Sequence, residues 1–233
     1  MKQVYIIDYI RTPIAKFQGG LSEVRADDLA AIVLKEIVKR NPLIPAEEIE
    51  DVILGCANQA GEDNRNVARM ASLLAELPIK IGGETVNRLC ASGMAAIANA
   101  YRAIAIGEGD FYIAGGVEQM TRAPYVLSKS AQPFGRDVQL FDSSFGWRFV
   151  NPKMKELYGV DGMGETAENI AEIYKISREA QDEFALLSQQ KATSAQNSGR
   201  LAQEIVKVEI PQKKGEPKIF SQDEFVKPDT TLD

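Results

Sequence analysis

The first half of the chain alternates short apolar runs with longer segments in which apolar residues recur every three or four positions. The short runs predict buried β-strands, at residues 3–9, 51–56, 84–89 and 111–115. The longer segments predict helices, at residues 29–40, 65–76 and 91–106. Strands that alternate with helices indicate an α/β fold with a mostly parallel mixed sheet that helices cover on both faces.

The pattern changes after about residue 120. Residues 121–160 have no clear period and carry six basic against three acidic side chains, which indicates a long loop or a small subdomain. Two helices follow, the second with Ser177 as its N-cap, and then two short strands, at residues 165–174, 178–197, 204–210 and 219–226. We therefore expect two domains, residues 1–120 and an α+β loop domain over residues 121–233 that begins to return to the core.

Composition and charge narrow the functional classes. The 233 residues include 27 Lys and Arg against 33 Asp and Glu, a formal net charge of −6. This acidic balance argues against a nucleic-acid-binding protein, which would need a basic surface. The two cysteines, Cys56 and Cys90, favour a reducing compartment. The sequence shows neither a signal peptide nor a stretch of about 18 apolar residues, so we expect a soluble, cytoplasmic protein without a membrane partner.

The absence of histidine restricts the chemistry. The sequence contains no histidine at all, so a Ser-His-Asp triad, a Cys-His pair and a histidine-built zinc site cannot be completed within this chain. No metal is expected. Any chemistry must use another activating group or a histidine that is supplied from elsewhere.

Cys90 lies at the predicted junction of a strand and a helix, and small residues follow it. The free N–H groups in the first turn of a helix carry partial positive charge and stabilise an anion there. A thiolate at such a place is a nucleophile without an adjacent histidine, and the same N–H groups stabilise a developing oxyanion. The alternative is that Cys90 is a buried, small hydrophobic residue. Cys56 lacks a following helix start and is expected to be structural or to line a pocket.

Six segments resemble, in order, motifs of the thiolases, the acetyl-CoA acyltransferases of the thiolase superfamily. They are RTPIAKFQGGL (11–21), QAGEDNRNVAR (59–69), VNRLCASGMAA (86–96), AGGVEQMTRAPY (114–125), MGETAENIA (163–171) and ISREAQDEFALLSQQKA (176–192). Ala15 stands where the family usually has glycine. Together the segments span almost the whole chain, so the resemblance implies a thiolase-like N-terminal domain followed by a loop domain.

The resemblance implies that Cys90 is the nucleophile that becomes acylated when a 3-oxoacyl-CoA is cleaved to acetyl-CoA and a shortened acyl-CoA, or when the reverse Claisen condensation runs. Coenzyme A is then a co-substrate, and no other cofactor is expected. In thiolases a second cysteine and a histidine lie in a C-terminal domain, and this sequence has no GHP, CGGG or NEAF motif. We expect that the C-terminal domain is absent and that this chain alone is inactive, or acylates itself slowly at Cys90.

The segment GWRFVNPKMKELYGVDGM (146–163) looks most like that of 3-oxoadipyl-CoA thiolases, which serve the catabolism of aromatic compounds. Their substrate carries a terminal carboxylate. Basic residues of the loop segment are candidates to bind this charge or the phosphates of coenzyme A: Arg136, Arg148, Lys153 and Lys155. The alternative for each is a solvated surface charge.

Three further residues are candidates for acyl-CoA binding by the same resemblance. Met163 matches a methionine that lines the acyl pocket, beside Gly162, where relatives often have histidine, and Met154 is a candidate in the lid. Lys227 stands where many relatives place arginine beside the adenine, and lysine loses the planar stacking. The alternative for either methionine is a core-filling residue.

Other functions remain open from the sequence. They are a generic acetyl-CoA acetyltransferase, a decarboxylating condensing enzyme of the ketoacyl synthase type, and a non-catalytic CoA- or acyl-binding module or complementing subunit. Thiolases are dimers or tetramers, and the resemblance places residues 59–69 at a two-fold interface next to Cys90. A homodimer or homotetramer is therefore expected of the full-length protein.

Overall fold

The computed structural model describes residues 2–232, and these form two compact units. The first unit comprises the residues up to Ala123 together with Ala202–Glu224. The second comprises Pro124–Leu201 and the residues from Phe225 onward. The last strands of the chain therefore belong with the first unit.

A three-stranded parallel sheet forms the centre of the first unit. Its strands are β1 (Ile49–Gly55), β2 (Glu84–Val86) and β3 (Phe111–Gly116), in the order β2-β1-β3. Ile53 of β1 lies opposite Glu84 of β2 on one side and Ala114 of β3 on the other. The carboxyl ends of all three strands consequently meet at one edge of the sheet.

Helices cover both faces of this sheet. They are α1 (Ala26–Arg40), α2 (Val67–Leu74) and α3 (Ser92–Ile106). Val52 and Leu54 join the buried cluster that α1 and α2 form, whereas Ile53, between them, packs with Ala96 and Ala100 of α3. Successive side chains of a strand point to opposite faces, so β1 is buried on both sides. The predicted α/β class is confirmed.

The prediction of a buried strand at residues 3–9 is wrong. The segment has no strand structure, and Tyr5, Ile6 and Ile7 are exposed. A strand needs a neighbour to pair its backbone groups, and within residues 2–232 no strand pairs with this run. The predicted strand at residues 84–89 is also shorter, because the chain leaves the sheet after Val86.

The first unit also contains a two-stranded antiparallel hairpin, β6 (Val208–Ile210) and β7 (Lys218–Phe220). Val208 and Ile210 are buried with Leu21 and Leu29. Both strands are shorter than predicted, since only three residues of each pair across the hairpin.

Arg11 joins the start of the chain to the residues that flank this hairpin. Its Nε donates to Glu204 at 2.8 Å, and its two terminal nitrogens donate to both oxygens of Asp223, at 2.7 and 2.9 Å. Burial by itself would raise the pKa of Asp223, but the hydrogen bonds from Arg11 and from the Ile14 amide outweigh it and lower that pKa. Arginine suits this place because its planar fork binds a carboxylate through two parallel bonds.

The second unit contains three helices and one hairpin. The elements are β4 (Tyr125–Leu127), β5 (Leu140–Asp142), α4 (Pro152–Tyr158), α5 (Met163–Tyr174) and α6 (Arg178–Asn197). Ser177 accepts a hydrogen bond from the Ala180 amide at 3.2 Å and caps α6, as predicted. The segment over residues 121–160, predicted as a long loop or a small subdomain, holds β4, β5 and α4. These elements are too short to give a clear periodicity.

One stretch within residues 2–232, Leu89–Ile106, is long and apolar enough to cross a membrane by length and composition alone, with mean hydropathy 1.3. The stretch includes Ser92, Asn99 and Arg102, so it is not an uninterrupted apolar run of the kind that the sequence analysis found to be absent. The core helix of a soluble protein passes the same test, and Ala96 and Ala100 of this helix are packed against the sheet. The stretch is therefore weak evidence for a membrane span.

Candidate active site

Glycines at the carboxyl edge of the sheet let α3 begin close to the strand ends. A Cβ atom on Gly55 would lie 2.6 Å from the Gly93 nitrogen, and one on Gly116 would lie 2.9 Å from the Gly55 oxygen. Real Cβ atoms do not approach other atoms this closely, so these glycines permit the packing. In open parallel α/β sheets the carboxyl edge is where ligands bind.

Cys90 stands at this edge, two residues before the first residue of α3. It is exposed and forms no disulfide. The residue before it, Leu89, has φ of 49°, in the left-handed region that non-glycine residues seldom adopt. The alternative of a buried, core-filling Cys90 is wrong, and the thiol is accessible to a reagent or substrate.

Ser92 holds the turn that carries Cys90. It is buried, with 4% of its surface exposed, and its Oγ accepts from the Arg88 amide at 2.8 Å and donates to the Leu89 oxygen at 2.6 Å. The Ser92 amide donates to the same Leu89 oxygen at 3.0 Å. Sequence reasoning treated Ser92 only as one small residue among several. Serine at a helix start is a local signal that identifies such a role.

The first turn of α3 supplies unpaired donors. In the described part of the chain, the amides of Gly93 and Met94 donate to no acceptor, whereas the Ala95 amide donates to the Ala91 oxygen. Free N–H groups at a helix start favour negative charge nearby. These free amides are the donors that the sequence analysis expects near Cys90, and the stabilisation of a thiolate or an oxyanion by them stays a prediction.

Cys56 has the opposite environment. It is fully buried, and its Sγ lies 3.6 Å from an Asp63 oxygen and 3.8 Å from a Glu118 oxygen. Burial, reinforced by the negative charges of Glu118 and Asp63, raises the pKa of the Cys56 thiol to about 12. At neutral pH this thiol is protonated and is no nucleophile, in keeping with the structural role expected for it.

The same three residues form a compact set of possible metal donors that the sequence did not suggest. The Cys56 sulfur and carboxylate oxygens of Asp63 and Glu118 lie within 4.8 Å of one another. Both carboxylates already accept backbone hydrogen bonds, Asp63 from Gly61 and Glu118 from Ala57 and Asn58. These contacts explain the cluster as a brace for the loop after β1, and they give no reason to place an ion there.

Raising the pH should destabilise the protein through Cys56. The unfolded thiol ionises near its ordinary pKa of 9.0, whereas the folded thiol keeps its proton up to about 12. The folded state binds more protons in this window, so stability falls as pH rises, by about 1.4 kcal/mol per pH unit. From about pH 8 to about pH 10.5 we expect the free energy of unfolding of the parent chain to fall by about 2 kcal/mol more than that of the Cys56→Ser variant. Urea unfolding of the two chains across this pH range measures the difference. Free energies of unfolding that fall in parallel with pH would contradict the prediction.

The other predicted site residues all lie in the second unit. Met154 is on α4, Met163 is the first residue of α5, and Met163 is largely exposed. Exposure of Met163 does not fit a core-filling residue. Arg136 is exposed and Arg148 is partly buried.

Lys227 lies in a surface depression formed by residues 226–230. Its Nζ stands 5.2 Å from the centre of the Phe225 ring, and its amide donates to the Gln189 side chain at 2.8 Å. The lysine charge is therefore held over an aromatic face. Its role towards coenzyme A stays a prediction.

Comparison with known proteins agrees with the motifs. Residues 4–233 match the family described as thiolase, N-terminal domain. A crystal structure of the acetyl-CoA acetyltransferase of Bacillus anthracis superposes with a TM-score of 0.84 at 37% identity, over 96% of this chain and 55% of that one. The parallel sheet and its covering helices are therefore those of an established fold.

Curated relatives cover this chain from end to end. The 3-oxoadipyl-CoA/3-oxo-5,6-dehydrosuberyl-CoA thiolase of Escherichia coli (strain K12) is 59% identical over 233 residues, and the beta-ketoadipyl-CoA thiolase of Pseudomonas knackmussii is 58% identical over 232. A probable acetyl-CoA acyltransferase of Staphylococcus epidermidis is 40% identical. The chain spans 58% of the length of each of these relatives. By family match and by identity, this chain belongs to the thiolase family.

Proposed function

We propose that this chain supplies the acyl-accepting cysteine of a thiolase that cleaves a 3-oxoacyl-CoA. The observation that carries the proposal is the position of Cys90, which is exposed and lies two residues before α3, the helix whose first-turn amides at Gly93 and Met94 are free. A buried or helix-interior cysteine would lack both the access and the donors that acyl transfer needs.

The proposed reaction has two halves. The Cys90 thiolate attacks the ketone carbon of the substrate, and the bond from that carbon to the thioester-bearing carbon breaks. The shortened acyl group stays on the sulfur as a thioester, while the departing carbanion of acetyl-CoA takes up a proton. The thiol of a second coenzyme A then accepts the acyl group, returns its own proton to the medium and frees Cys90. Because the chain has no histidine, no imidazole of its own moves these protons.

The substrate we propose is 3-oxoadipyl-CoA, whose thiolysis leaves a succinyl group on the cysteine. The support is the identity of 59% and 58% to thiolases that are named for this type of substrate. Arg136 and Arg148 would then bind the terminal carboxylate or the phosphates of coenzyme A, and Met154, Met163 and Lys227 the rest of the acyl-CoA. A generic acetyl-CoA acetyltransferase is the second candidate, favoured by the likeness to the Bacillus anthracis structure.

Mass spectrometry of the acylated chain tests both statements. The chain is incubated separately with acetoacetyl-CoA and with 3-oxoadipyl-CoA, digested, and its peptides are weighed. We expect an acyl adduct on the peptide that contains Cys90 and none on Cys56, with succinyl transfer from 3-oxoadipyl-CoA the faster of the two. An adduct that forms only from acetoacetyl-CoA would favour the generic acetyltransferase.

Iodoacetamide supplies the control for this experiment. It should alkylate Cys90 in the folded chain and both cysteines in the urea-unfolded chain. A Cys90 that iodoacetamide alkylates but that neither acyl-CoA acylates would contradict acyl transfer by this chain alone. The proposal includes a homodimeric or homotetrameric assembly of the full-length protein and a cytoplasmic location.

A further inference from the structure

The segment before Cys90 is held by a side chain that the proposed mechanism does not use. Asn87 follows β2 directly, and its Oδ1 accepts from the Leu89 amide at 2.9 Å. Its Nδ2 donates to the Ala57 oxygen at 3.1 Å. The first bond closes a local turn of the kind that asparagine favours, and the second ties that turn to the end of a different strand.

The turn at Ala57, to which Asn87 donates, is itself held in place. One oxygen of Glu118 accepts from the Ala57 amide and the other from the Asn58 amide, each at 3.0 Å. A carboxylate that binds two successive amides holds their turn in one orientation. Glu118 therefore fixes the position of the Ala57 oxygen that accepts from Asn87. Through Asn87, the turn before Cys90 is connected to the ends of β1 and β3.

Leu89 is the residue that needs this support. Its φ of 49° lies in the left-handed region, and a leucine stays there only when its surroundings hold it. The Asn87 oxygen holds its amide, while Ser92 holds its carbonyl from the other side. Because Leu89 precedes Cys90 directly, its backbone angles set the direction in which Cys90 leaves the turn.

From these contacts we infer that Asn87 is a positioning residue for Cys90, acting through the left-handed conformation of Leu89. The inference rests on the proposed function in taking Cys90 as the nucleophile. It adds that the orientation of the nucleophile depends on an asparagine that touches neither substrate nor sulfur. Without Asn87, Leu89 relaxes towards an ordinary conformation and the direction in which Cys90 leaves the turn changes with it.

Alkylation of Cys90 by iodoacetamide tests this inference without any acyl-CoA. The rate is followed on the Cys90 peptide by mass spectrometry at neutral pH. Asn87→Ala should lower the alkylation rate roughly fivefold. Losing one hydrogen bond of ordinary net strength reduces the population of the left-handed Leu89 conformation by about this factor. Asn87→Ser should keep the rate within about twofold, because a serine hydroxyl can also accept from the amide two residues on. Asn99→Ala is the matched control and should leave the rate unchanged, because Asn99 is a partly buried residue in the middle of α3 whose side chain accepts only from Arg102 of the same helix in the described residues.

The decisive measurement repeats Asn87→Ala in a Leu89→Gly background. Glycine adopts the left-handed region without help, so the loss caused by Asn87→Ala should shrink to less than about twofold there. A purely structural role for Asn87 would lower stability and reactivity equally in both backgrounds. An equal loss in both backgrounds, or no loss at all, overturns the inference.

The outcome is distinguishable from failure of the proposed function. If Cys90 is never acylated by an acyl-CoA, the proposed function fails, while the alkylation rates still decide the role of Asn87. Urea unfolding of each variant shows whether it folds. If Asn87→Ala does not fold, Asn87→Asp takes its place, since aspartate keeps the acceptor for Leu89 but cannot donate to Ala57. Because an added negative charge disfavours a nearby thiolate by itself, Asn87→Asp is also made in the Leu89→Gly background. An equal loss in the two backgrounds supports the Leu89 contact, and a loss confined to the background with Leu89 contradicts it.

Discussion

Replacing Cys90 by serine should abolish acyl transfer to residue 90, with a fall in the rate of adduct formation of roughly a thousandfold or more. A serine hydroxyl holds its proton far more tightly than a thiol, so it needs an adjacent base to act as a nucleophile. The chain has no histidine to serve as that base. The free amides at the start of α3 stabilise an anion but cannot remove a proton.

The measurement is the adduct on the peptide that contains residue 90, after incubation with 3-oxoadipyl-CoA or acetoacetyl-CoA. Cys56→Ser is the matched control, because it removes the other thiol and should leave the adduct at Cys90 unchanged. The prediction fails if Cys90→Ser is acylated at residue 90 at a rate near that of the parent chain. It also fails if Cys56→Ser loses the adduct while it remains folded.

Gly55→Ala should lower the free energy of unfolding by about 1–3 kcal/mol, the usual cost of forcing a methyl group into a filled space. The new Cβ would stand 2.6 Å from the Gly93 nitrogen, which is backbone and has no rotamer to change. The end of β1 and the start of α3 must then separate. Since Cys90 lies two residues before α3, the rate of its alkylation should fall along with stability.

Gly115→Ala is the control for this prediction. A Cβ at Gly115 would meet only the Leu54 side chain, at 3.6 Å, which is ordinary contact. Its effect should stay within about 0.5 kcal/mol. Urea unfolding of the two variants and the parent gives the comparison. Equal stabilities for Gly55→Ala and Gly115→Ala would show that the close approach of α3 to the strand end does not constrain the fold.

Local pattern was sufficient where an element is decided by neighbours in the sequence. The helix at 178–197 was predicted with its observed bounds, because its capping Ser177 and its long periodic run lie within one segment. The junction at Cys90 was predicted for the same reason. The strand at 3–9 was not correctly predicted, because an apolar run indicates burial but does not supply the neighbour with which a strand pairs.

The candidate site divides in the same way. Cys90 and the small residues after it were recognisable from local sequence, and the family from six motifs in order. The roles of Asn87 and Glu118 were not, since their shared partners lie in the turn at residues 57–58, some 30 and 60 positions away. Local sequence carries no trace of a hydrogen bond between segments that only the sheet brings together.

By itself, then, the amino-acid sequence determined the α/β class, the order of most elements, the family and the identity of the candidate nucleophile. Only the tertiary structure decided that Cys90 is exposed, that Cys56 is buried between two carboxylates with a raised pKa, and that Leu89 is left-handed. The physical reason is that burial, charge proximity and backbone strain are properties of contacts, and these contacts join β1, β2, β3 and α3 at one edge of the sheet.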